Sequence, residues 1–252
     1  MHEFKEYLCG LSHDDPAVRQ KSISGLAKYS GAEWQGTPDA VTDALAALVS
    51  ASPLQAAVAR DGAFRTEAAK ILGNIGTQSP AVVPELLRLL QKDPDGRVRT
   101  EAALALGKIG DGAAGARHSI AAVLDDLHGR ESVRGAAAWA LARVDPSSAG
   151  TASSLHAAAE DRSGYVSVIA AEALWKVSPQ TGRAILALAT RLSDPAVRQA
   201  AAQALYRIGP AAKEAVPALI AAAKDKDRLF RESVLLALRK IDPQAAPKAR
   251  LG

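Results

Sequence analysis

Few residues in this chain could do covalent or metal chemistry. The five histidines are His2, His13, His118, His128 and His156. No two stand at the i, i+4 spacing that sets a pair of imidazoles around a metal on one helix, and none lies in an HExxH stretch. His156 and Glu160 share a helix face and could exchange a proton, although a surface contact is the favoured role. Cys9 is the single cysteine, so internal disulfides and cysteine-based zinc sites are excluded. Gly107, Gly110 and Gly112 follow no strand and fit neither GxGxxG nor the P-loop pattern, so they read as a helix end rather than a phosphate cradle. A GxSxG elbow and a Cys–His pairing are also missing. No metal and no cofactor is called for, and the expectation is a protein that is not an enzyme.

The frame that would position any site is a repeat. The stretch Val98–Gly110, VRTEAALALGKIG, returns six more times. Its first apolar residue, position zero, is Val18, Phe64, Val98, Val133, Val166, Val197 and Phe230. Arg follows in every copy except one, where Ser167 stands. Eight residues after zero there is always Leu, and eleven after zero a large residue. Copies recur at intervals of 31 to 35 residues after a first interval of 46, the signature of a repeat array. Positions zero, four, seven, eight and eleven fall on one stripe at about 100° per residue, which is helical. Asp, or Asp-Pro, precedes most copies and Gly or Pro ends five of them, as caps and stops should. A less regular helix lies upstream of each, for example Val83–Leu90, Ile120–Leu127, Ile185–Leu192 and Val216–Ala223. Each repeat is then helix A, a turn, helix B, a turn. Neither helix buries its stripe alone, but stacked neighbours do.

The wording DPxxxVRxxAAxALxxIG, clearest at Asp93–Gly110 and Asp194–Gly209, resembles the HEAT repeat, in the short form found in phycobilin lyases and many bacterial proteins. The resemblance implies an all-α fold: a right-handed α-solenoid of about seven HEAT-like hairpins, forming one domain over 1–252. The repeats fall near 3–30, 39–76, 80–110, 115–145, 150–178, 181–209 and 213–242. It also implies that the B helices line a concave groove. The Arg after position zero would pair with aspartates of neighbouring turns such as Asp15, Asp95 and Asp194. Deoxyhypusine hydroxylase, a HEAT-repeat enzyme, holds iron through repeated His-Glu pairs. Here His2-Glu3 is the one such pair, so that chemistry is not expected.

Positions two, six and nine point away from the core stripe, so under this resemblance they face the groove. Position six supplies Leu104, Trp139, Glu172, Gln203 and Leu236, and position nine supplies Trp175, Tyr206 and Arg239. Position ten is basic in six copies, among them Arg143, Lys176 and Arg207. The candidate binding residues are therefore Leu104, Trp139, Arg143, Glu172, Trp175, Lys176, Gln203, Tyr206, Arg207 and Arg239. Aromatic anchors dominate interface energetics, and a row of cations suits acidic side chains. The same residues have structural alternatives: the indoles could pack against a neighbouring repeat, and a cation near a helix C-terminus is favoured by the helix dipole.

Net charge is +4, and residues 224–252 carry that whole excess. A nucleic-acid surface usually spreads its charge along the contact, so nucleic acid is an unlikely partner. The expected function is a scaffold binding a protein or peptide in its groove. The alternatives are a nucleic-acid-binding HEAT-like protein, including a DNA glycosylase-like one, and a bilin lyase-like chaperone. The N-terminus lacks a signal-peptide core and no run is long enough to span a membrane, so a cytoplasmic location is expected. An insertion at Ser30–Thr42 carries Trp34, read as a binding loop or a cover for the first repeat.

Overall fold

A computed structural model describes residues 2–11, 13, 15–29, 62–76, 82–179 and 182–246. The insertion with Trp34, helix A of the second repeat and the tail beyond residue 246 lie outside the described residues. The chain divides into two compact units, Met1–Asp145 and Pro146–Gly252. Both are all-helical among the described residues and both are stacks of antiparallel hairpins, as the repeat requires.

In the first unit the helices are α1 (His2–Gly10), α2 (Pro16–Leu26), α3 (Gly62–Gly76), α4 (Val83–Lys92), α5 (Gly96–Ile109), α6 (Arg117–Asp125) and α7 (Glu131–Val144). Helices α2, α3, α5 and α7 are the B helices, and each packs on the next. In the second unit they are α8 (Ala149–Ala159), α9 (Gly164–Val177), α10 (Arg183–Arg191), α11 (Arg198–Ile208), α12 (Val216–Ala222) and α13 (Arg228–Ile241). Here α9, α11 and α13 are the B helices.

The sequence stripe is the core. The position-eight leucines Leu26, Leu72, Leu106, Leu141, Leu174, Leu205 and Leu238 are all buried. Ala fills the slots beside them, as at Ala102, Ala103 and Ala105, and these too are fully covered. Helix ends follow local chemistry. Gly110 and Gly209 take positive φ, 70° and 74°, and end α5 and α11. A short 3-10 helix follows each, Gly110–Ala116 and Gly209–Ala215, which the sequence stripe does not announce. Asp145 and Ser178 end α7 and α9 in non-helical backbone, and a proline, which disfavours the helical region for the residue before it, follows each.

The A–B turns are held by a two-residue acidic device. Asp93 Oδ1 accepts the Asp95 N–H at 2.8 Å, and Asp95 Oδ1 in turn accepts the Arg97 N–H at 2.8 Å to cap α5. Asp225 and Asp227 repeat this before α13, and Asp161 with Ser163 before α9. The first acid also takes the Arg of the preceding repeat. Arg65 grips Asp93 with two bonds, 2.7 and 2.9 Å, and both side chains are buried. Arg198 binds Asp225 and Asp227 in the same way. The expectation that Asp15, Asp95 and Asp194 pair with the arginines is therefore corrected. Each of the three accepts the N–H two residues further on, while among the described residues Arg65 pairs with Asp93 and Arg198 with Asp225 and Asp227.

The remaining arginines of the row turn to the carbonyls that end helix A. Arg99 donates to the Leu90 carbonyl at 3.0 Å, Arg134 to Leu124 at 3.1 Å and Arg231 to Asp225 at 2.6 Å. Where the row carries Ser167 instead, its hydroxyl donates to the Ala159 carbonyl at 2.6 Å. Arg191, from α10 of the next repeat, then donates to the Ser167 hydroxyl and to the Asp161 carbonyl. A guanidinium thus occupies this turn although its own repeat lacks one.

Two outcomes follow from the turn. Asp93→Ala strands the buried Arg65 guanidinium and is expected to cost about 3–5 kcal/mol in urea unfolding, against under ~0.5 kcal/mol for a surface change such as Glu131→Ala. The hydrogen bonds and charge of Arg97 hold the Asp95 carboxyl at about 2, below its ordinary 3.8. A depressed carboxylate stabilises fully above its unfolded value and loses that contribution as pH falls toward the folded one. The stability gap between the native chain and Asp95→Asn is therefore expected to close between pH 4 and pH 2, roughly the span between free and capped carboxylates. A gap that persists at pH 2 would assign it to something other than the charge.

Candidate functional site

On the first unit the outward face of the B helices carries Leu104 and Trp139, both half-buried, and the exposed Arg143. Trp139 does not stand free. Its ring lies over Gly107 of the preceding B helix, so closely that a Cβ there would sit 2.4 Å from the indole and 2.9 Å from the Ala140 Cα. Arg143 closes over the other side, its guanidinium 4.8 Å from the ring centroid, while its Nε donates to the Gly107 carbonyl at 2.9 Å. The space above that glycine is thus filled by the position-six Trp of the next copy. Gly73 receives a backbone instead: a Cβ there would lie 2.8 Å from the Ala105 Cα.

On the second unit Glu172 and Trp175 are half-buried, and Lys176, Gln203, Tyr206, Arg207 and Arg239 are exposed. Arg207 reaches back one repeat to Glu172, its Nε 2.7 Å from the carboxylate. Lys240 reaches back to Tyr206, its Nζ 4.4 Å from the ring centroid. A Gln199–Ser233 bond of 2.6 Å fixes the register of α11 against α13. Tyr206 nevertheless keeps 44% of its surface and Leu236 53%.

A rule emerges for position ten. Arg143, Arg207 and Lys240 each touch the B helix before their own, and Asn74 follows with a bond to the Tyr29 carbonyl. The basic row is thus partly a set of cross-braces, in addition to whatever it offers a partner. The structure pairs Trp139 with Arg143 and Glu172 with Arg207. It adds Lys240 and Leu236 to the second-unit face, and both follow from the position-six and position-ten registers. The A-helix face of the same unit gathers His156, Glu160 and Arg183, of which Arg183 gave no signal as the first residue of a plain helix. Among the described residues no group of three or more His, Cys, Asp or Glu could hold a metal. No helix of the described residues is long and apolar enough to cross a membrane.

Stacked two-helix units with buried leucine stripes and acidic turns define a helical repeat protein. The chain belongs to the HEAT-repeat family, whose model matches residues 50–142 and 182–249. Similar solved structures carry the same fold. An engineered protein is 23% identical with a TM-score of 0.54, covering 98% of this chain and 71% of its own. The Escherichia coli protein YibA is 17% identical with a TM-score of 0.57, covering 95% and 82%. Kap121p is 17% identical with a TM-score of 0.57, and the match covers 95% of this chain but 27% of Kap121p. Among curated proteins none matches in sequence.

The Trp139 packing makes a clear demand. Gly107→Ala is expected to destabilise by about 1–3 kcal/mol, since a methyl has nowhere to go between an indole and a helix backbone. Trp139→Ala is expected to cost a similar amount, about 1–3 kcal/mol for a half-covered aromatic. Urea unfolding of the two variants checks this. A stability within ~0.5 kcal/mol of native for Trp139→Ala would return that residue to the list of free binding anchors.

Proposed function

We propose that this protein is a non-enzymatic adaptor that binds a protein or peptide through the B-helix face of its second unit. The observation that carries the reading is the exposure of Tyr206 and Leu236 on neighbouring helices α11 and α13, beside Lys176, Arg207, Arg239 and Lys240. An aromatic and an aliphatic side chain left open beside cations are the elements of an interface centre and rim. Glu172 is the one acid of the candidate set and Arg207 neutralises it, so the face favours acidic partner segments. Kap121p, similar in fold, has been solved bound to RanGTP. That supports the use of such a stack to carry another protein. The free Cys9 fits the cytoplasmic location we propose for it.

The test begins with a pull-down from the source cell, followed by affinity measurement on the purified partner. Tyr206→Ala with Leu236→Ala is expected to weaken binding by about ten- to a hundredfold, the range of one or two hot-spot residues, and to leave unfolding almost unchanged. An affinity that ignores both substitutions, or a partner that proves to be duplex nucleic acid with a steep salt dependence, overturns the reading.

A further inference from the structure

We propose that a cleft on the A-helix side of the second unit, between α8 and α10, binds a small organic oxyanion: a carboxylate or phosphate monoester on an apolar group. The cleft has a volume of about 470 Å³, within the range of small-molecule sites. It lies on helices α8 and α10, not on the B helices of the docking face, and does not rest on the adaptor reading.

Its charge is unbalanced in a useful way. Arg183, Arg191 and His156 line it together with a single acid, Glu160. Arg191 is committed to the turn below, through Ser167 and the Asp161 carbonyl. Arg183 is not committed. Seven other arginines, among them Arg65, Arg88, Arg198 and Arg207, hold a carboxylate within 4.0 Å. Arg183 has none among the described residues, and its described partner is the His156 ring, to whose Nε2 it donates. That ring nitrogen also lies 3.6 Å from the Glu160 carboxylate. One nitrogen cannot both accept from a guanidinium and donate to a carboxylate, so the two contacts compete.

An entering oxyanion resolves the competition. A guanidinium prefers two parallel bonds to a carboxylate or phosphate over one bond to an imidazole. Arg183 turns to the anion, and the imidazole is released to donate to Glu160 or to the ligand. The organic part has a place as well. Leu186 stands one turn along from Arg183 on α10, 53% exposed, with Ala187 and Ala159 beside it in the cleft wall.

The probes are phenyl phosphate, benzoate and inorganic phosphate, titrated into the full chain and followed by amide chemical shifts. Phenyl phosphate and benzoate are expected to saturate with Kd values on the order of 1 mM or tighter, at least fivefold below inorganic phosphate. Arg183→Ala is expected to weaken both at least tenfold, His156→Ala by a smaller factor, and Arg228→Ala not at all. Arg183 and Arg228 are both exposed, so unfolding midpoints should match the native chain and confirm that loss of binding is local. Failure to saturate by ~10 mM, an equal loss in Arg228→Ala, or inorganic phosphate binding as well as phenyl phosphate overturns the proposal.

Discussion

The close approach of successive B helices is what the rest of the first unit depends on. At Gly73 and Gly107 the neighbouring backbone comes so near that a single methyl would collide with it. Alanine lines much of the remaining interface, at Ala102, Ala103, Ala105, Ala137, Ala138 and Ala140. Small residues at these places let the position-eight leucines of adjacent copies meet and leave water. Burying each such leucine is worth about 1.5–3 kcal/mol, and an isolated hairpin could bury only part of it. Stability therefore resides in the contacts between copies rather than in any copy. The polar devices at the turns, the Asp93–Arg65 grip above all, then fix the angle at which one copy meets the next.

The two faces of the second unit differ in what they present to solvent. On the B-helix side, long cations lean back across the stack and leave Tyr206 and Leu236 open between them. A broad, shallow, positively charged surface with an apolar centre suits a macromolecule. On the A-helix side a cleft lies between α8 and α10 instead. There Arg183 and His156 line a small volume, which suits the small anion we propose. The same repeat thus offers surfaces on two scales, set by which helix supplies the side chains.

Much of this was legible in the residues. The helical stripe, the period and the Asp and Gly punctuation predict the B helices closely: Gly96–Ile109 and Gly164–Val177 lie where the repeat places them. Spans of the A helices were less exact. Leu127 lies beyond α6 and is 71% exposed, because the Asp126 turn ends the helix before the apolar pattern does. The partners of the arginine row were only half visible. Sequence marks these turn acids as caps, but which of them also takes an arginine from the preceding repeat, Asp93 or both Asp225 and Asp227, depends on three-dimensional offset. The fate of Trp139 was hidden for the same reason. Its position on the outward face is a matter of periodicity, whereas its cover by Arg143 and its seat on Gly107 depend on the stagger between helices.

Arg191 carries a lesson about modularity. At Arg99, Arg134 and Arg231 the cation that meets the carbonyls at the end of helix A belongs to the same repeat. At Ser167 that cation has migrated to the following unit of sequence, on α10. The fifth and sixth hairpins are consequently no longer interchangeable parts: shuffling, duplicating or excising either one separates a hydroxyl from the guanidinium it was matched to. An array assembled by copying has here acquired a seam that records divergence after duplication and constrains any later rearrangement of its pieces.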